Sequence, residues 1–313
     1  MSEPRRGYLY GLTAFGLWGL LPLYWKLLVA SDAVEILAHR IAWSVVFVAG
    51  LLVVLRRWSW LRDLVRQPRR LLAVLAAAAL IGINWVVFIY GVTSDRVVET
   101  SLGYFINPLM SVLLGVLVMG ERLRIAQWIA IGFGAVAVAV LTVDYGRLPW
   151  IALAVACSFA LYGLVKKKLG LPAAEGLFAE SSALLLPALA YVGWLVAADQ
   201  NSFGTISLSH TLLLAGGGVA TAVPLLFFAG TANRVPLSAL GMMQYLGPSI
   251  MFVLGVLVFG EPMPAARLAG FVLVWGALAL FTWDGLRRRG APGGHIRRLR
   301  AREGIAAGAV HRG

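Results

Sequence analysis

A single cysteine, Cys157, in 313 residues leaves no disulfide framework and no cysteine-rich metal site, and its apolar setting reads as packing. Charge is scarce as well. Asp, Glu, Lys and Arg make up 13% of the chain against 60% hydrophobic residues, too little polar surface to enclose a water-soluble core. Acidic residues number 14 against 27 basic ones, for a net charge of +13. Of the four histidines, His210, His295 and His311 fall at a span edge or in the tail, which leaves His39 alone inside an apolar run. The sequence holds no His-x-x-His or Asp-rich constellation, so metal or acid–base chemistry has no assembled donors, and neither a metal nor another cofactor is called for. These absences weigh against an enzyme and point to an integral membrane protein.

What the chain has in abundance is long apolar runs. A helix needs about 20 apolar residues to cross the hydrocarbon layer. Ten windows qualify, at residues 8–28, 34–55, 71–92, 97–119, 125–143, 148–165, 174–197, 208–230, 236–259 and 265–284. The first is too long for a cleaved leader and lacks a small-residue cleavage site, so it is expected to persist as a helix.

The runs repeat. Leu114 to Glu121 reads LGVLVMGE, and 140 residues later Leu254 to Glu261 reads LGVLVFGE, identical at seven of eight positions. The same offset pairs Lys26 with Lys166, Glu35 with Glu175 and Pro108 with Pro248. A duplicated unit follows. Five spans per unit is an odd number, which turns the second unit upside down relative to the first, an arrangement typical of secondary transporters. The expected fold is an all-α integral membrane protein of ten transmembrane helices in two inverted five-helix repeats. Residues 1–7 form an N-terminal segment, 8–143 the first repeat, 148–284 the second, and 285–313 a basic, aperiodic tail expected to be disordered.

Orientation follows from Lys and Arg. With both termini cytoplasmic, 22 of the 27 basic residues fall on the inner side, while Lys26, Arg96, Arg147 and Arg267 face outward and Arg40 lies within a span. The inner residues are spread over separate loops between apolar runs, which suits anionic lipid head groups and excludes nucleic acid as the partner.

Polar groups inside the spans mark where a solute could sit, because a charge at mid-membrane costs roughly 2.5–3.5 kcal/mol even on the gentlest scale. Glu35 and His39 stand one turn apart on the second span, with Arg40 about 100° around from His39. Two readings stand for Arg40. It snorkels to the interface, or it faces the bundle interior and binds an anionic group. Glu99 and Glu180 are candidate coupling groups, and Glu180 also reads as a snorkelling partner of Lys166 to Lys168. The fourth span carries Tyr104 and Asn107 ahead of Pro108, and the ninth carries Gln244 and Tyr245 ahead of Gly247-Pro248. Proline frees backbone acceptors, and broken backbone in a membrane is tolerated only around protein or a watery cavity, so the paired kinks point to a central site. Asn84 and Tyr90 on the third span and Trp18 on the first complete the cavity candidates, while Gly216 to Gly218 suit close helix approach.

The segments EILAHRIAWS (Glu35 to Ser44), SLGYFINPL (Ser101 to Leu109) and the LGVL.GE ending of both halves resemble the RarD branch of the EamA family, in the drug/metabolite transporter superfamily. The resemblance implies ten helices around a central cavity and secondary transport of small organic solutes across a bacterial inner membrane. Its substrate residues vary too much to carry over, and Ala179-Glu180 replaces His39-Arg40 in the second half, so no symmetric basic pair exists. A non-transporting sensor, a channel and a lipid-modifying enzyme are the alternatives. Substrate, direction, coupling ion and oligomeric state are not encoded in any motif.

Overall fold

A backbone in hydrocarbon must satisfy its own N–H and C=O groups, which a helix does within one segment, so the apolar runs fold as helices. The structure is a computed structural model and describes residues 3–120, 123–232 and 234–289. In chain order the helices are α1 (Glu3–Lys26), α2 (Ala33–Val54), α3 (Ser59–Val65), α4 (Pro68–Thr93), α5 (Val97–Met119) and α6 (Ile125–Tyr145). There follow α7 (Trp150–Leu169), α8 (Ala173–Ala197), α9 (Leu208–Ala232), α10 (Leu237–Met243), α11 (Leu246–Val253) and α12 (Ala265–Arg289).

Among the described residues, nine helical segments are long and apolar enough to cross a membrane, rather than the ten expected. The missing one is α1, where Tyr, Trp, Gly and Pro dilute the leucines and Arg5, Arg6 and Lys26 stand near the ends. It still packs along α9 and α11. Three further differences are local. α3, a seven-residue helix between the second and third spans, was hidden by its short length and its flanking arginines. α1 begins at Glu3 rather than at residue 8, and α12 runs through Arg289, taking the first five residues of the expected tail into a helix. The rest of that tail lies outside the described residues.

The two prolines behave differently. Pro108 sits inside a continuous α5. The ninth span is interrupted by a turn at Gln244 and Tyr245, so the break falls where Pro248 removes a hydrogen bond and presses on the carbonyl four residues earlier. It then passes through a π-helical turn at Leu254–Val258, which is the repeated LGVLV itself. The glycine just before the final glutamate of each copy lies in the left-handed region, Gly120 at φ 65° and Gly260 at φ 66°, a conformation that stops a helix at low cost only for glycine.

Large apolar side chains face outward on nearly every helix, Leu117 71% exposed and Leu186 79%, for example. Polar residues lie inside. Glu35, His39, Arg40, Asn84, Glu99, Glu175 and Glu180 are all buried. That reversal of the water-soluble pattern suits a bundle whose solvent is lipid. One apolar core joins α5, α6 and α12 around Phe271 and Leu141, and a second joins α1, α2, α4 and α9 around Trp25.

Candidate functional site

Arg40 is the least compensated charge in the bundle. It is 4% exposed and makes no hydrogen bond or ion pair among the described residues, and its Nε and Nη1 are buried without a partner. Its guanidinium lies 4.1 Å from the ring centre of Trp85 on α4 and 5.3 Å from that of Trp25 on α1. Cation–π contact of this kind offsets part of the desolvation without using an N–H. Three consecutive glycines of α9 pass beside this region. Gly217 of α9 meets the Cα of Arg40 and the Trp25 ring, where a side chain would have ordinary contact distances of 3.5–3.7 Å. At Gly218 an added Cβ would lie 2.6 Å from the backbone nitrogen of Ser44, so α2 and α9 touch backbone to backbone. Gly216 leaves room for the Tyr24 hydroxyl, which donates to the Leu213 carbonyl.

Tyr104 of α5 lies within electrostatic reach of the same guanidinium. Its ring is held edge-on between Phe88 and Phe159, and its hydroxyl donates to Asn84 Oδ1 at 3.3 Å. Asn84 in turn donates to the Val155 carbonyl and Ser158 Oγ of α7, at 3.0 and 3.1 Å. Asn84 is thus a fully used bracket between α4, α5 and α7. Asn107 sits one turn from Tyr104 with its Oδ1 buried and unpartnered, as are Trp25 Nε1 and Ser44 Oγ. Trp18 packs against the core around Trp25 and separately meets the rings of Phe15 and Phe228.

Other sequence candidates lie elsewhere. His39 stacks on Phe203 at 4.6 Å, leaving its Nε2 unpartnered. Tyr90 is exposed at the rim beside Trp150. Gln244 is exposed at the helix break, and Tyr245 lines a groove of about 520 Å³ with Phe105, Ser249 and Trp275. Glu99 accepts from Arg96 and Arg147 at 2.7 and 3.0 Å and from the Ile151 N–H at 3.2 Å. Glu180 accepts from Tyr162 at 2.9 Å and Lys166 at 2.6 Å. Both carboxylates are therefore ion-paired in this conformation.

Two features lay beyond sequence reasoning. Glu261, the last residue of the second repeat motif, accepts from the N–H groups of Val97 and Val98 at 2.5 and 2.9 Å, capping α5 from 163 residues away. Burial pushes its carboxyl above the ordinary carboxylate value, and the two backbone hydrogen bonds and nearby Lys26 oppose the shift. Ser31 also bonds both Ser202 and His210, tying the α1–α2 turn to the loop before α9 and to the first turn of α9, while Glu35 accepts from the Ser202 N–H at 2.7 Å. The doubled motif ends on glutamate in each half, which singled out the residue but not the helix it caps.

A bundle of apolar helices enclosing buried, unpaired polar groups is the build of a membrane transporter. The EamA-like transporter family matches residues 5–143. The chain is 54% identical to Protein RarD of Streptomyces exfoliatus, across 99% of this chain and 96% of that protein. It is 42% identical to an uncharacterized transporter of Vibrio cholerae, across 91% of this chain and 95% of that one, and 41% identical to Protein RarD of Escherichia coli, across 91% and 96%. A crystal structure of another protein, 20% identical, shares the fold with a TM-score of 0.57, covering 91% of this chain and 99% of that chain. The chain belongs to the EamA-like transporter family and, within it, to the RarD group.

Proposed function

We propose that the chain is a secondary permease that moves small organic solutes by alternating access between two inverted five-helix halves, with Arg40 and its aromatic surround as the substrate site. The observation that carries the reading is the buried guanidinium with unused N–H groups, which a bundle retains at considerable cost unless a partner arrives.

The packing supports two related halves, with α1 counted as the tenth span. Exchanging each helix for the one 140 residues along turns the α2–α9 contact into α8–α4, α1–α9 into α7–α4 and α1–α11 into α7–α5. The α2–α8, α5–α11 and α6–α12 contacts map onto themselves. The helix ends also sort into two groups. Ser31 meets Ser202 and His210, Glu99 meets Arg147, Val97 meets Glu261, and Asp144 meets Arg267. At the other end Glu3 meets Arg234, Glu175 meets Arg57, Arg70 meets the Leu169 carbonyl and Arg124 meets Asp284. Repeat mates such as the segments near residues 66 and 206 then belong to different groups, which supports the inverted reading. The four basic residues assigned to the outer face, Lys26, Arg96, Arg147 and Arg267, are each paired with a carboxylate, which fits an orientation with both termini in the cytoplasm of a bacterial inner membrane. The inner basic residues then face anionic head groups.

In this mechanism the halves rock about the broken α10–α11 segment and the glycine-lined α2–α9 seam, exposing the Arg40 region to each side in turn. Solute flux into proteoliposomes, measured for a panel of metabolites and antibiotics with and without a pH gradient, tests it. Saturable uptake that Arg40→Ala abolishes at unchanged expression is the expected result. No flux of any panel member by well-folded protein counts against carriage.

A further inference from the structure

We infer that the Arg40 site selects small monocarboxylates with an apolar or aromatic body; this deepens, and rests on, the permease reading above. Arg40 is 96% buried by area, and its Nε and Nη1 have no acceptor. A guanidinium in that state recognises a carboxylate through charge-assisted hydrogen bonds, the interaction for which its fixed donors are shaped. The charge count sets the class. Arg40 faces the rings of Trp25 and Trp85, and no carboxylate or second cation pairs with it among the described residues. One uncompensated positive charge neutralises one negative charge. A phosphate dianion would bring a surplus charge into the bundle core, and a neutral solute would leave the guanidinium unanswered.

The surroundings specify the remainder of the ligand. Trp25, Trp85 and Tyr104 offer flat apolar walls rather than further charge. The other unpartnered buried atoms on these helices, Trp25 Nε1, His39 Nε2, Ser44 Oγ and Asn107 Oδ1, can each make one hydrogen bond. The equivalent position in the second half supplies a contrast. Glu180, the mate of Arg40, is satisfied within the chain by Tyr162 and Lys166. Only the first-half charge is left open, so the anion preference belongs to one side of the pseudo-twofold.

The test compares matched acids and amides on the full chain in detergent at neutral pH. Benzoate and phenylacetate are set against benzamide and phenylacetamide, with phenyl phosphate as the dianion, read by tryptophan fluorescence and by ligand-induced melting shift. The expected result is saturable binding of the acids at least about tenfold tighter than of the amides, the factor that loss of one charge-assisted hydrogen bond produces. Phenyl phosphate should bind more weakly than either acid. Arg40→Gln should erase the acid preference without lowering the melting temperature, since an uncompensated buried charge is removed. Equal affinity for acids and amides, tighter binding of phenyl phosphate, or no acid binding to folded protein overturns the inference. So does an Arg40→Gln variant that melts lower and still prefers acids, the behaviour of a purely structural cation–π residue. The two readings fail separately. Flux of neutral solutes with no acid preference leaves the permease standing and removes the carboxylate site, whereas acid-selective binding without flux does the reverse.

Discussion

Glu261→Ala removes the acceptor that holds two backbone N–H groups at the start of α5. Val97 and Val98 are 0% and 1% exposed, so water cannot readily replace the carboxylate. An unsatisfied buried donor costs about 1–3 kcal/mol, and two of them would cost about 2–6 kcal/mol. Removing Glu261 also removes the desolvation cost of burying its own charge, which places the net loss near the lower half, about 2–4 kcal/mol. Glu261→Gln keeps one acceptor oxygen but turns an amide donor toward the second N–H, so it should fall between wild type and Ala. The assay is reversible denaturant or thermal unfolding in detergent, followed by far-ultraviolet circular dichroism. A Glu261→Ala variant within about 0.5 kcal/mol of wild type, the range of an ordinary surface substitution, would refute the capping argument.

Other predictions follow from the same geometry. Because burial raises the Glu261 carboxyl, the folded state holds its proton more tightly than the unfolded state. Its contribution to stability should therefore fall as pH rises from the ordinary carboxylate value through the raised one, and the wild-type-minus-Glu261→Gln difference in melting temperature should show that slope, whereas a flat difference contradicts it. Gly218→Ala places a Cβ against the Trp43–Ser44 backbone and should cost about 1–3 kcal/mol, while Gly163→Ala, with open space at its Cβ, should be neutral or slightly stabilising in the same melt. Tyr104→Phe removes one hydrogen bond to Asn84 and should cost about 0.5–1.5 kcal/mol while leaving Phe88 and Phe159 packed on the ring, and a larger loss would mean that the hydroxyl holds more than Asn84.

The spans were legible because a membrane helix announces itself by length and apolarity, with no reference to its neighbours. The exception, α1, spends glycines on close approach to other helices: a Cβ at Gly11 would clash with Met243 and one at Gly19 with Ile250. The break near Pro248 was readable from proline chemistry, yet the matching Pro108 leaves α5 whole, and no physical account of that asymmetry emerges from the local sequence. Tyr90 could have been set apart from Asn84 by geometry alone, since six residues on a helix turn a side chain about 240° away. It lies at the rim. The cage around Arg40 was out of reach in another sense. Trp25 and Trp85 come from α1 and α4, and only the tertiary packing decides that both meet α2 at the same level. Glu261 shows the same limit, because a cap supplied from a distant loop leaves no mark at the helix it serves.

Inversion of the two halves is the claim on which the transport reading turns, and residues 66 and 206 test it directly because they are repeat mates in exposed loops. In a Cys157→Ser background, Arg66→Cys and Ile206→Cys are treated with a membrane-impermeant maleimide in intact cells and again after permeabilisation. Labelling of Ile206→Cys from outside, with Arg66→Cys reached only after permeabilisation, is the predicted result. Labelling of both from the same side would contradict it.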